Sequence, residues 1–458
     1  MSSYRLYLLI CGLGSFAAKV AFTLNLVYQA TVVGLSPLQL VLVGTVMEGV
    51  CFIAQVPTGV IADVVSRRLS VIIGYLLMGA GLLIWGLVPT FAAIMVANVV
   101  WSIGAVCVDG AEEAWAADEI EPERVTTAFL RGAQIGQAAS LLGIVTAVGL
   151  AYAGLAVPIV AGGLLTLALG VLLIVVMKER RWTPAATTTG SWRSMGRQVV
   201  AGGRAIRGST LLACIVAGTF FAGLSSEGFD RLSQPFLLPF LGDRPIELVF
   251  GGLAMVAALG SIAATGLAGR RLEKAGSIGD GGDPRRVGRL LAAVNLVTAA
   301  AMIGFGLSGQ WWVAVPLYLL VRLLRDTADP IMSVWLVSAT APGSRATVFS
   351  IQAQADALGQ IAGGPPVGAV AQRASIGAGI SVAGLFLLPA VALFGLAVRR
   401  SPAEPVPESG PVPESGPVPG AGPAPGAGPA PGAGPAPAAG SEPESGPVRP
   451  DVVVEPLA

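Results

Sequence analysis

Twelve apolar stretches run through this chain, each long enough to cross a bilayer at about 20 residues per crossing. They fall near residues 5–29, 38–62, 69–88, 91–113, 128–153, 155–177, 210–232, 246–269, 290–308, 311–337, 346–371 and 375–398. No other feature restricts the fold as much. In lipid a crossing segment must satisfy its own backbone hydrogen bonds, so segments of this length become helices. The expected class is an all-α membrane protein with twelve transmembrane helices. Charged residues make up only 12% of the 458, against roughly a quarter in soluble domains. The mean hydropathy is +0.74. The first stretch is not read as a cleaved signal peptide, because it is long, Lys19 interrupts it, and no small-residue cleavage site ends a short apolar core.

The cationic residues test the count, since Lys and Arg should gather in alternate loops. Arg67, Arg68, Arg124, the run from Lys178 to Arg207, the run from Arg270 to Arg289, Arg345, Arg399 and Arg400 all fall in the even set. The opposite loops hold only Arg244 and Arg373. This split predicts an even number of spans, with both termini in the cytoplasm of a cell, read as bacterial.

The chain has no histidine. That excludes His-based triads, His-ligated zinc or haem, and histidine proton relays. Cys11, Cys51, Cys107 and Cys214 lie apart in apolar runs, with no C-x-x-C spacing, and read as small buried residues. The net charge of +1 with no basic stripe argues against nucleic-acid binding. No cofactor or metal is expected.

A polar stretch at 178–209 divides six spans (1–177) from six more (210–400). Its part from Trp192 to Ile206 is either a helix on the membrane surface or a solvated linker. The halves repeat weakly. Asp109-x-x-Glu112 matches Asp326-x-x-Asp329, and Pro37, Leu40 and Val41 match Pro245, Leu248 and Val249. Pro122, Arg124, Phe129 and Gln134 have the order of Pro342, Arg345, Phe349 and Gln354. Together these predict a duplicated six-span unit. Residues 401–458 hold more than half of the 33 prolines in P-V-P-E-S-G and P-A-P-G-A-G repeats. Such composition cannot bury a core and is expected to form a disordered cytoplasmic tail.

Between spans two and three the chain reads Gly59-Val60-Ile61-Ala62-Asp63-Val64-Val65-Ser66-Arg67-Arg68. This resembles the G-x-L-A-D-x-x-G-R-[RK] loop of the major facilitator superfamily, with Ser66 in place of the second glycine. The resemblance implies two six-helix bundles, with Asp63 facing a helix N-terminus and Arg67 pairing with Asp118. Gly59, Asp63, Arg67, Arg68, Asp118 and Arg124 would form a conformational gate. The stretches Phe22–Gln29, Pro57–Gly59 and Glu227–Arg231 are similar to proton-coupled drug exporters of the macrolide and tetracycline branch. The antiporter motif G-x-x-x-G-P-x-x-G-G is missing from span five, which reads Gly136-x-x-x-Ser140-x-x-Gly143. A similar cluster stands in span eleven as Gly359-x-x-x-Gly363-Gly364-Pro365-Pro366-x-Gly368.

A charge at mid-bilayer costs at least about 2.5–3.5 kcal/mol on insertion scales, so each one is a functional candidate. Lys19 and Glu48 have matching depths at roughly 1.5 Å per residue and are expected to face each other as an ion pair. Glu227, Asp230, Arg231 and Asp356 complete a proton and charge network, with Glu227 and Asp356 as the leading C-half proton carriers. Asp109, Glu112, Glu113 and Arg131, with Arg322, Arg325, Asp326 and Asp329, are expected near the inner leaflet as an inner gate. Asn25, Gln29 and Gln354 are candidate substrate contacts, with helix-to-helix hydrogen bonding as the alternative.

These features predict a monomeric transporter that moves a small molecule against protons across a lipid bilayer. Export of drug-like amphipathic compounds is the preferred reading, and a metabolite or sugar symporter is the alternative. A membrane-embedded enzyme using Asp326-x-x-Asp329, or a non-transporting sensor, is a remote one.

Overall fold

The computed structural model describes residues 1–182, 203–204, 206–274, 284–340 and 345–400. Most of the 178–209 linker and all of the 401–458 tail lie outside the described residues, as do Pro342 and Gly343. Among the described residues there are helices and turns but no strand. Span one comprises Ser3–Phe22 and Asn25–Thr31, span two Pro37–Val64, span three Arg67–Leu87, and span four Phe91–Val108 with Ala111–Glu119. Span five is Pro122–Ala151 and span six Ala156–Val176. Span seven is Thr210–Leu237 with a 3-10 turn to Phe240, and span eight is Ile246–Lys274. Spans nine, ten and eleven are Pro284–Leu307, Trp311–Ala339 and Arg345–Arg373. Span twelve comprises Ile376–Phe386 and Leu388–Arg400.

Ten of these are long and apolar enough to cross a membrane. The other two are spans ten and eleven. Span ten carries Arg322, Arg325, Asp326 and Asp329, and span eleven carries Asp356 among three glutamines. Both have the length to complete a set of twelve. Several helices exceed their apolar stretches because polar termini are capped. Ser66 accepts from the Leu69 N–H at 3.0 Å and starts span three, and Pro122 occupies the first position of span five. Span four does not run straight through its acidic end. It breaks at Asp109–Gly110, where Gly110 has φ +73°, a conformation suited to glycine.

The packing repeats between halves. Span one packs on five and six, two on four, and three on four and six. In the same order, seven packs on eleven and twelve, eight on ten, and nine on ten and twelve. The halves meet through equivalent pairs, two against eleven and five against eight. One apolar cluster joins Leu24, Val27, Val41 and Ala151 of the first half to Phe229, Leu232, Val367 and Ala371 of the second. These residues lie toward the arginine-poor ends of the spans. Toward the arginine-rich ends the clusters stay within one half, one around Leu6, Val71 and Trp115 and one around Ile215, Trp335 and Phe394.

Glycines permit this closure. A Cβ on Gly364 would lie 2.2 Å from Thr45 Oγ1, and one on Gly359 only 2.1 Å from the Phe220 carbonyl oxygen. The glycine cluster of span eleven therefore serves two faces, one toward span seven and one across the seam to span two.

Candidate functional site

A cavity of about 740 Å³ lies where spans one, two and five approach spans seven, eight and ten. Lys19, Arg231 and Arg322 line it with Glu48, Glu227, Asp230 and Asp326. Charges at this depth need partners, and the second half supplies them internally. Glu227 and Arg231 sit one turn apart on span seven and pair at 3.3 Å, with side chains 4% and 14% exposed. Arg325 donates from both terminal nitrogens to both Asp230 oxygens, at 2.7 and 2.8 Å. This fork geometry gives the stronger kind of ion pair. Arg322, three residues earlier on the same helix face, stands 3.7 Å from Asp230. The Arg325 guanidinium also lies 5.9 Å from the Phe229 ring centre.

Asp230 is shared with a second cavity of about 420 Å³ inside the C-terminal half, which Arg325, Asp329 and Asp356 also line. There Asp356 accepts from the Gln360 amide at 2.8 Å. A third cavity of about 380 Å³ brings Glu48 and Asp109 of the first half to Asp356 and Gln360 of the second. The carboxylates thus form a chain of sites across the seam, joined through Asp230, Asp356 and Glu48.

The segment 8–364 matches the Major Facilitator Superfamily. The chain belongs to that superfamily. It is a multi-pass membrane transporter, and the solved structures it resembles share the fold. A bacterial homologue of the human lysosomal transporter Spinster, inward-facing and unoccupied, is 15% identical with a TM-score of 0.66, covering 87% of this chain and 97% of its own. The nucleoside transporter NupG is 14% identical, TM-score 0.69, covering 87% and 99%. A POT peptide transporter is 12% identical, TM-score 0.67, covering 87% and 95%. No curated protein matches the sequence.

Within this superfamily fold, the segment Gly59–Arg68 is mostly helix. Span two continues to Val64, and only Val65 and Ser66 separate it from span three. A Cβ on Gly59 would meet no described atom within 4 Å, so close packing does not account for it. Asp63 belongs to span two, but its side chain lies outside the described residues. Arg67 forms an ion pair with Asp118 and donates to the Ala114 carbonyl at 3.2 Å. Arg68 donates from its side chain to the Met177 and Ile174 carbonyls, at 2.6 and 2.7 Å. Arg124 pairs locally with Glu121 at 3.2 Å, both well exposed.

Other candidates are distributed differently from the sequence expectation. Lys19 and Glu48 share the cavity, yet among the described residues neither makes an ion pair. Span one packs on five and six, and span two on four and eleven, which holds the two apart. Arg322 and Arg325 lie near the middle of span ten, not at its inner end, and turn to Asp230. Glu112 is buried and accepts from the Tyr75 hydroxyl at 2.8 Å, whereas Asp109 and Glu113 are exposed. Arg131 donates to the Tyr4 hydroxyl at 3.2 Å rather than joining those acids. Asn25 and Gln29 are 4% and 0% exposed and line none of these three cavities. Gln354 donates across the seam to Gln55 at 3.0 Å.

Three features had escaped the sequence reading. Gly44 admits the Glu227–Arg231 pair, since a Cβ there would fall 1.7 Å from Glu227 Oε2. Its position one turn before Glu48 was the available signal. Gln360 orients Asp356, and its i, i+4 spacing was visible. Glu119 accepts from the backbone N–H groups of Arg180 and Arg181, at 2.5 and 2.6 Å, while Glu179 accepts from Ser66 Oγ at 2.6 Å and from the Arg68 N–H at 3.1 Å. These contacts have no local sequence signature.

Proposed function

We propose that this transporter exports drug-like amphipathic small molecules by proton antiport. Residues 1–177 and 210–400 act as two rocking bundles, joined by the 178–209 linker and followed by the 401–458 tail. One observation carries the reading: ionisable side chains from both bundles converge on a cavity, and among the described residues the apolar cluster that joins the bundles lies toward the arginine-poor ends. A carboxyl in such a cavity can bind a proton in one state and release it in the other. Glu227 and Asp356 are assigned as proton carriers. Arg67 with Asp118, beside Asp63, acts as the gate that biases the two states.

The arginine-rich face is assigned to the cytoplasm of a bacterial cell, with both termini there. The end joined by that cluster then faces outward and the cavity is loaded from inside, as an exporter requires. Each proton moving inward contributes about 2.3 kcal/mol per 100 mV of membrane potential. The test is transport in proteoliposomes under an imposed pH gradient, against a panel of macrolides, tetracyclines and dyes. Substrate movement unaffected by both pH gradient and voltage would refute antiport. Gradient-driven uptake of a metabolite or sugar alone would favour the symporter reading.

A further inference from the structure

Each of the three span seven charges on the central cavity has a partner on its own half. Glu227 holds Arg231, and Asp230 holds Arg325 with Arg322 nearby. Lys19 and Glu48 differ. They lie 12 and 11 residues from the arginine-poor ends of their spans, at Thr31 and Pro37. At about 1.5 Å per residue, those depths agree within roughly 2 Å. Both line the same cavity, Lys19 exposed into it and Glu48 half-buried. Neither has an ion-pair partner among the described residues.

The neighbouring charges do not cancel these two. Arg322 and Asp326 of span ten line the same cavity, and neither forms an ion pair with Lys19 among the described residues. Glu48 shares one cavity with the already paired Glu227, Arg231 and Asp230, and another with the carboxylate of Asp356. The first half therefore leaves one cation and one carboxylate open at one depth, on two helices held apart by their own packing, and Asp326 of span ten is a further carboxylate on the wall without an ion pair among the described residues. Phe22, Leu26, Leu141 and Ile144 add apolar wall to the same cavity. A volume of about 740 Å³ is within the range of drug-sized ligand sites.

Two uncompensated charges in a bilayer interior are costly unless something completes them. We propose that the cavity selects zwitterionic amphiphiles, with the ligand's anionic group on Lys19 and its cationic group on Glu48. This rests on the transport reading above and names its substrate class. A bound zwitterion satisfies both side chains at once. A singly charged analogue leaves one of them open.

The test uses the full-length chain and xanthene dyes that differ in charge: zwitterionic rhodamine B, its cationic ethyl ester, and anionic fluorescein. Binding is measured in detergent by fluorescence anisotropy, and transport in proteoliposomes. The expected result is binding of the zwitterion tighter than either analogue by on the order of tenfold, the scale of one charged hydrogen bond. Lys19→Met should erase that preference in favour of the ester, and Glu48→Gln in favour of fluorescein. Lys19→Arg and Glu48→Asp should keep it, which separates selectivity from folding. Equal binding of all three dyes by the unsubstituted protein would overturn the proposal. So would single variants that lose every dye alike while Lys19→Met/Glu48→Gln regains them, because that pattern marks a structural pair. Charge-selective binding without gradient-driven transport would leave the selectivity standing and defeat the export reading instead.

Discussion

The seam between spans two and eleven should respond sharply to a single methyl group. Gly364→Ala places a Cβ 2.2 Å from Thr45 Oγ1 and 3.2 Å from Val41 Cγ1. The first distance is more than 1 Å short of ordinary contact. Thr45 is β-branched and bonds the Val41 carbonyl at 3.2 Å, so it cannot simply swing away. Overpacking of this kind costs about 1–3 kcal/mol. If the two bundles rock as proposed, the cost falls only on the state in which the arginine-poor ends are closed, because rocking then separates the two helices. The equilibrium should therefore move toward opening at that end by about 5- to 150-fold. Val41 is fully buried in the seam and reports on it. With Cys11, Cys51, Cys107 and Cys214 replaced by Ser, the labelling rate of Val41→Cys by a membrane-impermeant maleimide measures the open fraction. Gly364→Ala should raise that rate by the same factor. An unchanged rate in a protein that remains folded would show that the seam does not open during the cycle.

Other perturbations test the remaining contacts. Asp230→Asn leaves Arg322 and Arg325 without their shared carboxylate. It should cost about 2 kcal/mol, less than a fully buried pair because Asp230 is 32% exposed, and should lower the melting temperature in detergent by several degrees. Adding Arg325→Met should recover part of that loss. Glu119→Gln weakens two backbone contacts at 2.5 and 2.6 Å, and trypsin should cleave at Lys178–Arg181 roughly tenfold faster. Gln354→Ala removes an exposed bond to Gln55 and should change stability by less than about 0.5 kcal/mol in a thermal-shift assay.

The helices were legible because lipid imposes both their length and their composition. Even spans ten and eleven could be placed, since a few charges do not hide an otherwise apolar stretch. Internal breaks were not legible. Gly110 is one of 61 glycines, and one of four with a positive φ among the described residues, a property the sequence does not carry. The common depth of Lys19 and Glu48 followed from helical rise. Their separation did not, because it depends on which neighbours spans one and two pack against. The shared face of Arg322 and Arg325 was visible in their spacing, but the Asp230 that receives them stands 95 residues before Arg325. The segment Gly59–Arg68 shows the opposite case, in which Arg67 and Asp118 meet although no described atom lies within 4 Å of a Cβ on Gly59.

The segment from Met177 to Arg181 has a mechanical consequence. Its backbone carbonyls and N–H groups are taken up by Arg68, Trp115 and Glu119, and its Glu179 by Ser66 and the Arg68 N–H. A pull on the chain beyond Trp182 therefore does not load span six alone. It is delivered to the turn between spans two and three and to the end of span four, which is where Arg67 grips Asp118. Span six is spared as the load-bearing element, and tension in the connecting chain acts on the contacts around Arg67 and Asp118.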